Sequence, residues 1–246
     1  MFIIFQYLMV FILGLSIGSF LNVCIWRTRQ NISIVRGRSM CPNCNSSIKW
    51  YDNIPLLSFV LLKGKCRRCS KNISWQYPII EFVTGILFLF VAWWHQKVGY
   101  FLTLEMVRDW MIISFLIFIF VYDFKYQEIL SIPTIVLSIF LFLFSIPTGW
   151  NNWQNMLIGV GVGGGFFFLQ YIVSKGKWIG GGDVRLGLLM GVILGWPYIL
   201  FGLFVSYVIG AISGLFMVAR NKKAMKSEVP FGTYLTIGTF VTMFWG

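Results

Sequence analysis

Long apolar runs separated by short polar loops dominate the chain. The first run, Ile3 to Ile25, has no charged residue and exceeds the about 20 residues that a helix needs to cross a bilayer. Further apolar segments fall at 78–95, 109–124, 129–147, 153–174, 183–196, 197–219 and 231–246, about eight in all. The first run lacks the basic lead and small-residue cleavage site of a secretory signal, and Arg27 and Arg29 follow it rather than precede it. It predicts a retained first helix with its N-terminus outside. The inner loops are then 27–77, 125–128, 175–182 and 220–230. The outer loops are 96–108, 148–152 and a turn near Trp196-Pro197. The expected organisation is a first transmembrane helix (1–26), an inner loop (27–77) and a seven-helix membrane domain (78–246). No tandem repeat is evident.

Composition agrees with this pattern. The chain is 58% hydrophobic and 11% charged, too apolar for a soluble domain to hide. The predicted fold class is an all-α polytopic membrane protein with about eight transmembrane helices. Of the 20 lysines and arginines, only Lys97 and Arg108 fall on the outer side. That obeys the positive-inside rule. Topology and contact with the lipid bilayer therefore account for the net charge of +12, and no nucleic acid is expected as a partner. Gly159, Gly161, Gly163 to Gly165, Gly187, Gly191 and Gly195 have the spacing that lets helices approach closely in lipid. The lone His95 lies beside two tryptophans at an outer helix end, where interfacial anchoring is the expected role.

The inner loop carries two Cys-x-x-Cys pairs, Cys41 with Cys44 and Cys66 with Cys69. Each pair presents two sulfurs from one tight turn, and four thiolates match the tetrahedral preference of zinc. The loop lies on the reducing side, where disulfides seldom persist. A structural zinc in a small four-cysteine cytoplasmic loop is expected, with two disulfides or a redox pair as the alternatives. A closed four-sulfur site leaves no open position for metal catalysis. Cys24, at the end of the first run, reads as a small buried hydrophobe.

Acids are scarce, 8 against 20 basic residues. Hydropathy and basic charge, without reference to the acids, place Asp123 of "VYDFKYQEI" and Asp183 of "GGGDVRL" at the same inner membrane edge. Ionisable groups at membrane depth are costly and are functional candidates. Two carboxylates sharing a site do not both ionise easily, and one retains a proton. An aspartic protease needs that arrangement: one carboxylate takes a proton from water while the other polarises the scissile carbonyl. Gly180, Gly181 and Gly182 would let backbone approach an extended substrate. No Lys-Ser or Lys-Thr follows them, which argues against a phosphate loop. The structural alternatives are that Asp183 caps a helix N-terminus and that Asp123 pairs with Lys125.

At these residues the chain resembles the bacterial type IV prepilin peptidases, which are G-x-G-D intramembrane aspartic proteases. The resemblance covers nearly the whole length, through "GLSIGSFLNVCIWR" (14–27), "RSMCPNC", "DNIPLLSF" (52–59), "GKCRRC", "ISWQYPIIE" (73–81), "GGGDVRL" and "VPFGTYL" (229–235). In the family, Ile-Pro or Leu-Pro usually follows the first aspartate motif, whereas here Leu130 follows Ile129 and the proline is Pro133. The resemblance implies Asp123 and Asp183 as the catalytic pair and the four cysteines as zinc ligands. It implies a multi-pass protein of the bacterial inner or plasma membrane, with the zinc loop and aspartates on the cytoplasmic side. The implied substrates are prepilin and pseudopilin precursors, cut at the cytoplasmic membrane edge. Many members also methylate the new N-terminus with S-adenosylmethionine. Glu81, after Tyr77-Pro78, is the one candidate for that step, as a carboxylate able to hold the substrate's new ammonium. Its structural alternative is an N-terminal helix acid.

Other classes stay open at this point. One is a peptidase without methyltransferase activity. A transporter can also use glycine-rich broken helices and paired acids, and a zinc-stabilised membrane scaffold needs neither aspartate. The sequence leaves the oligomeric state unknown.

Overall fold

The computed structural model describes residues 2–97, 99, 102–220 and 230–246. It is helical, with no strand among those residues beyond two isolated bridges, Met40 with Ser47 and Lys65 with Asn72. The elements are α1 (Phe2–Arg29), a 3-10 turn (Trp50–Asn53), α2 (Leu57–Leu61), α3 (Gln76–Lys97), α4 (Leu104–Tyr126), α5 (Ser131–Thr148), α6 (Trp153–Ser174), α7 (Gly181–Leu194), α8 (Tyr198–Arg220) and α9 (Phe231–Trp245). Every expected apolar segment holds one helix. Of these, α1, α3, α5, α6 and α8 are long and apolar enough to cross a membrane. α4 carries charged residues near both ends, and α7 and α9 are 14 and 15 residues long. The basic inner loop expected at 220–230 lies outside the described residues over 221–229, as does Val229 of the "VPFGTYL" segment.

The chain forms two compact units, one up to Phe118 and one from Ile119. In the first, α1 packs along α3. Gly14 and Gly18, four residues apart, remove side-chain bulk from one face of α1. A β-carbon on Gly14 would fall 2.7 Å from the Gly85 Cα, and one on Gly18 would fall 2.7 Å from the Glu81 Cα. Such close backbone approach is how small residues hold helices together in lipid. Buried Asn22 adds a polar tie: its Nδ2 donates to the Tyr77 carbonyl (3.2 Å), and its Oδ1 accepts from Gln76 Nε2 (3.2 Å). Trp110 of α4 stacks on Phe88 with ring centroids 5.2 Å apart and donates to the Phe88 carbonyl.

His95 is not an interfacial anchor. It is buried, with Nε2 2.8 Å from Asp109 Oδ2, while Arg108 Nε donates to Asp109 Oδ1 at 2.7 Å. The anchoring role fails because a buried carboxylate needs polar partners, and these two side chains supply them.

In the second unit α7 packs against α5, α6, α8 and α9. Its residues from Leu186 onward are nearly all buried. An enclosed helix can be apolar on every side. The glycines of α6 and α7 interlock: a β-carbon on Gly163 would fall 2.5 Å from the Gly187 carbonyl oxygen, and one on Gly159 would fall 2.6 Å from that of Gly191. Gly161 faces open space.

That contrast gives a test. Gly163→Leu should destabilise the protein by about 1–3 kcal/mol through overpacking. Gly161→Leu should be neutral or stabilising by up to about 1 kcal/mol, because leucine is the better helix former. Thermal unfolding in detergent micelles checks both.

Candidate active site and metal centre

Asp123 lies in the last turns of α4, where the helix dipole disfavours an acid. The second unit resolves this with another helix. The N-cap of α9 is Pro230, which has no side chain able to cap the first turn. The buried Asp123 carboxylate fills that role: Oδ2 accepts the Thr233 backbone N–H (2.8 Å) and the Thr233 hydroxyl (3.2 Å), and the Gly232 amide also reaches the carboxyl. A β-carbon on Gly232 would fall 2.9 Å from Asp123 Oδ2, so glycine leaves the carboxyl room. The pairing of Asp123 with Lys125 is therefore not what orders this carboxyl. Residues two apart do not face each other on a helix.

Asp183 is the third residue of α7, and Gly180 is the cap. Its Oδ2 reaches back to accept the Gly180 N–H at 3.2 Å. Asp183 thus completes the helix start from inside it. Gly182 packs on Ile129, which a β-carbon there would meet at 2.9 Å, and the same Ile129 would be 2.7 Å from a β-carbon on Gly232. Ile129 wedges between the starts of α7 and α9. Around it the two carboxyls lie within coulombic reach of each other. Asp123, Asp183 and Gly180 to Gly182 come together at one end of the second unit. Gly232, Thr233 and Ile129 were not singled out as site residues from sequence. The available signal was Pro230-Phe-Gly-Thr, a proline and a small residue opening a helix without a capping side chain of its own.

Glu81 belongs to the first unit. α3 begins at Gln76, so Glu81 stands beyond the first turn, and favour from the helix dipole does not explain it. It is buried, and its Oε2 accepts the Leu56 N–H at 2.9 Å.

The sulfurs of Cys41, Cys44, Cys66 and Cys69 all lie within 4.8 Å of one another, and Cys41 and Cys69 are 3.9 Å apart. Tetrahedral zinc with four sulfurs at about 2.3 Å sets neighbouring sulfurs about 3.8 Å apart, so the cluster could hold such an ion. It is built from two copies of one knuckle. Cys41 N–H donates to Ser46 O and Asn45 N–H to Cys41 O; Cys66 N–H donates to Lys71 O and Ser70 N–H to Cys66 O. Asn45 and Ser70 both take positive φ, and Ile48 and Ile73 close the two turns on Ser39 and Gly64. The pattern Cys-x-x-Cys-x-x-x-Ile-x-Trp occurs at 41–50 and again at 66–75, a short internal repeat that the sequence reading passed over. Hydrogen bonds from Ser46 pull the Cys44 thiol down to about 6, and the Cys69 and Arg68 amides lower Cys66. Although the Lys71 amide lowers Cys69, burial and the three neighbouring cysteines push it up to about 11. Four cysteine sulfurs at this spacing are a donor set that could hold a cation. Arg67 braces the second knuckle through three hydrogen bonds to Asp52 (2.7, 2.9 and 3.1 Å), and these bonds hold the Asp52 carboxyl below its usual range. Cys24 is buried, as expected.

Fold and site together define a class: a multi-pass helical membrane protein with paired aspartates between helix starts and a four-cysteine loop. Comparison with known proteins agrees. Residues 12–95 match the bacterial peptidase A24 N-terminal domain, and residues 110–215 match the type IV leader peptidase family. The chain is 34% identical to the prepilin leader peptidase/N-methyltransferase of Myxococcus xanthus, over 87% of this chain and 64% of that one. It is 30% identical to the protein of that name from Legionella pneumophila, over 98% of this chain and 92% of the other. For the Bacillus subtilis protein of that name the identity is 32%, over 96% and 93%. The chain belongs to the type IV leader peptidase family. No solved structure matches it significantly.

The bond from Thr233 to Asp123 can be tested without reference to activity. Proline in the first turn of a helix loses only an N–H that lacks an intrahelical partner. Thr233→Pro should therefore cost about 1.5–3 kcal/mol, the worth of a hydrogen bond to a charged group. Thr233→Val, which keeps the amide, should cost about 1 kcal/mol. Unfolding midpoints of the two variants should fall in that order.

Proposed function

We propose that the protein is a membrane aspartic endopeptidase that removes the leaders of type IV prepilins and pseudopilins at the cytoplasmic membrane edge. The observation that carries this reading is the meeting of Asp123 and Asp183 at one end of the second unit, between the starts of α7 and α9. A water held between the two carboxyls gives a proton to one of them. Its oxygen attacks the scissile carbonyl, which the other, protonated, carboxyl polarises. The C–N bond then breaks, and the departing amine takes up a proton. Gly180 to Gly182 present backbone beside Asp183 with no side chain in the way, which suits an extended substrate strand. The substrate's apolar helix stays in lipid while its leader remains in the cytosol.

The expected topology, N-terminus outside and both aspartates inside, supports this reading because it places the cut where the leader emerges. Zinc fits the four cysteines by spacing and donor chemistry, and it would hold the two knuckles together without taking part in hydrolysis. The relatives' names carry an N-methyltransferase activity. For this chain we assign methylation of the new N-terminus as a second step, with S-adenosylmethionine supplying the methyl group when bound. Glu81, a buried acid outside the aspartate site, would hold the ammonium or the donor.

The decisive experiment is cleavage of a co-expressed prepilin. Asp123→Asn and Asp183→Asn should each accumulate in the membrane at wild-type levels and cut at least about 10³-fold more slowly, as expected when a general acid–base pair is broken. Cutting by both stable variants at close to the wild-type rate would refute the paired-aspartate mechanism. The mass of the wild-type product reports the lost leader and the added methyl group. Cys44→Ser should lower zinc content, measured by elemental analysis, together with thermal stability. Unchanged zinc in that variant would remove the metal assignment.

A further inference from the structure

Two polar side chains of the second unit take no part in the chemistry assigned above. Gln170 is an amide in an apolar stretch of α6, and Tyr207 lies midway along α8. Gln170 Nε2 donates to the Tyr207 hydroxyl at 3.1 Å, and that hydroxyl donates to Gln170 Oε1 at 3.3 Å. The pair is exposed rather than enclosed, because α6 packs along α7 and only lightly against α8. Polar groups on the surface of a membrane-spanning helix are costly unless something bonds them.

The glycine register of α6 and α7 locates the pair. Gly159 packs on Gly191 and Gly163 on Gly187, so each step along α6 is an equal step back along α7. The same register brings Phe167 level with Asp183 and Gln170 level with Gly180. Gln170 follows Gly159 by eleven residues, about three helical turns, so it stands on the face that Gly159 turns to α7. Side chains lean toward the N-terminus of their own helix. The Phe167 ring does so in reaching Gly187, where a β-carbon would fall 2.5 Å from it. The Gln170 amide therefore leans from the level of Gly180 toward that of Asp183. Tyr207, on its other side, lies within coulombic reach of Asp183.

Aromatic rings tie this pair to the other aspartate. Phe231 lies 5.0 Å from Tyr207 and 6.0 Å from Phe167, centroid to centroid, and Phe166 lies 5.8 Å from Tyr207. Phe231 directly precedes Gly232 and Thr233, whose amides hold Asp123. Gln170 and Tyr207 thus border the end of the unit where both aspartates stand. An extended peptide in that place carries N–H and C=O groups on two edges, and lipid bonds neither. Gly180 to Gly182 offer backbone to one edge. A glutamine amide carries the same donor and acceptor as a peptide unit. Beyond its bonds to Tyr207, it has a second N–H and a second lone pair on Oε1 to offer.

We propose that Gln170, oriented by Tyr207, binds the backbone of the extended substrate on the edge opposite Gly180 to Gly182. The assignment rests on the peptidase reading above and adds to it a substrate-binding side chain and a positioning one. The test is prepilin cleavage by the purified full-length protein in detergent micelles. Gln170→Met, which keeps the length and removes both polar groups, should lower kcat/KM about tenfold to a hundredfold, as expected when peptide groups lose a partner away from water. Tyr207→Phe leaves the amide and the ring in place and should cost about threefold or less. Equal losses in the two would overturn the proposal, because either substitution breaks a mere tie between α6 and α8.

A second reading comes from prepilins that carry one backbone ester, placed in turn at the peptide groups flanking the scissile one. At least one ester should slow the wild type about fivefold or more and slow Gln170→Met by less than about twofold. Wild-type cutting indifferent to every ester would overturn the proposal without any variant. So would ester effects of the same size in Gln170→Met at every position. Gln170→Leu takes the place of Gln170→Met if the latter does not accumulate. A wild type that cuts but shows neither signature sinks this assignment and spares the peptidase reading, whereas a wild type that does not cut prepilin removes both.

Discussion

The second unit depends on one hydrogen-bonded contact: the Asp123 carboxylate seated on the opening amides of α9. A helix start in or near lipid leaves N–H groups that water cannot satisfy. Pro230 has no capping side chain, so α9 takes its cap from the far end of α4. Asp123, in turn, sits where its own helix dipole opposes it and gains the favourable dipole of another. Each solves the other's problem. Gly232 is required because any side chain there would press on the carboxyl. Ile129 then sets the distance to α7, touching Gly232 on one side and Gly182 on the other.

Capping alone does not account for the arrangement. Asp183 completes the start of α7 as Asp123 completes that of α9, and either could be a purely structural acid. A structural cap gains nothing from a second carboxyl nearby. Two acids within coulombic reach repel when both are ionised, and a serine or asparagine would cap without that cost. The fold accepts this repulsion beside three glycines that strip the side chains from the approach.

Much of this was legible in the sequence, and the parts that were not have a common cause. Each expected apolar run holds a helix, and five of these helices among the described residues meet the length and composition that a bilayer imposes. The shared end of Asp123 and Asp183 followed from counting crossings, and the cysteine cluster from ligand spacing. Thr233, Gly232 and Ile129 escaped because their roles are contacts between segments far apart in the chain, and no local periodicity encodes a contact. The role of His95 was misread for the same reason: two neighbouring tryptophans suggested an interface, whereas the deciding partner, Asp109, lies on the next helix. The knuckle repeat is legible in the sequence, since Ile48 and Trp50 echo Ile73 and Trp75 behind the more conspicuous cysteines.

Glycine does more than one kind of work in this fold, and the difference bears on function. Between α6 and α7 it serves packing: Gly159 and Gly163 meet Gly191 and Gly187 backbone to backbone. At Gly182 and Gly232 it serves position, holding two helix starts against a single isoleucine. At Gly18 it brings α1 up to the residue that carries a buried and unpaired acid. In lipid, where burying apolar surface gives no advantage to one helix pairing over another, close packing is the main source of rigidity. Both acidic sites combine such contacts with backbone amides from neighbouring segments. A carboxylate that must meet a carbonyl or a cation at hydrogen-bond distance needs that rigidity, and here glycine pairs of the kind that anchor transmembrane helices supply it.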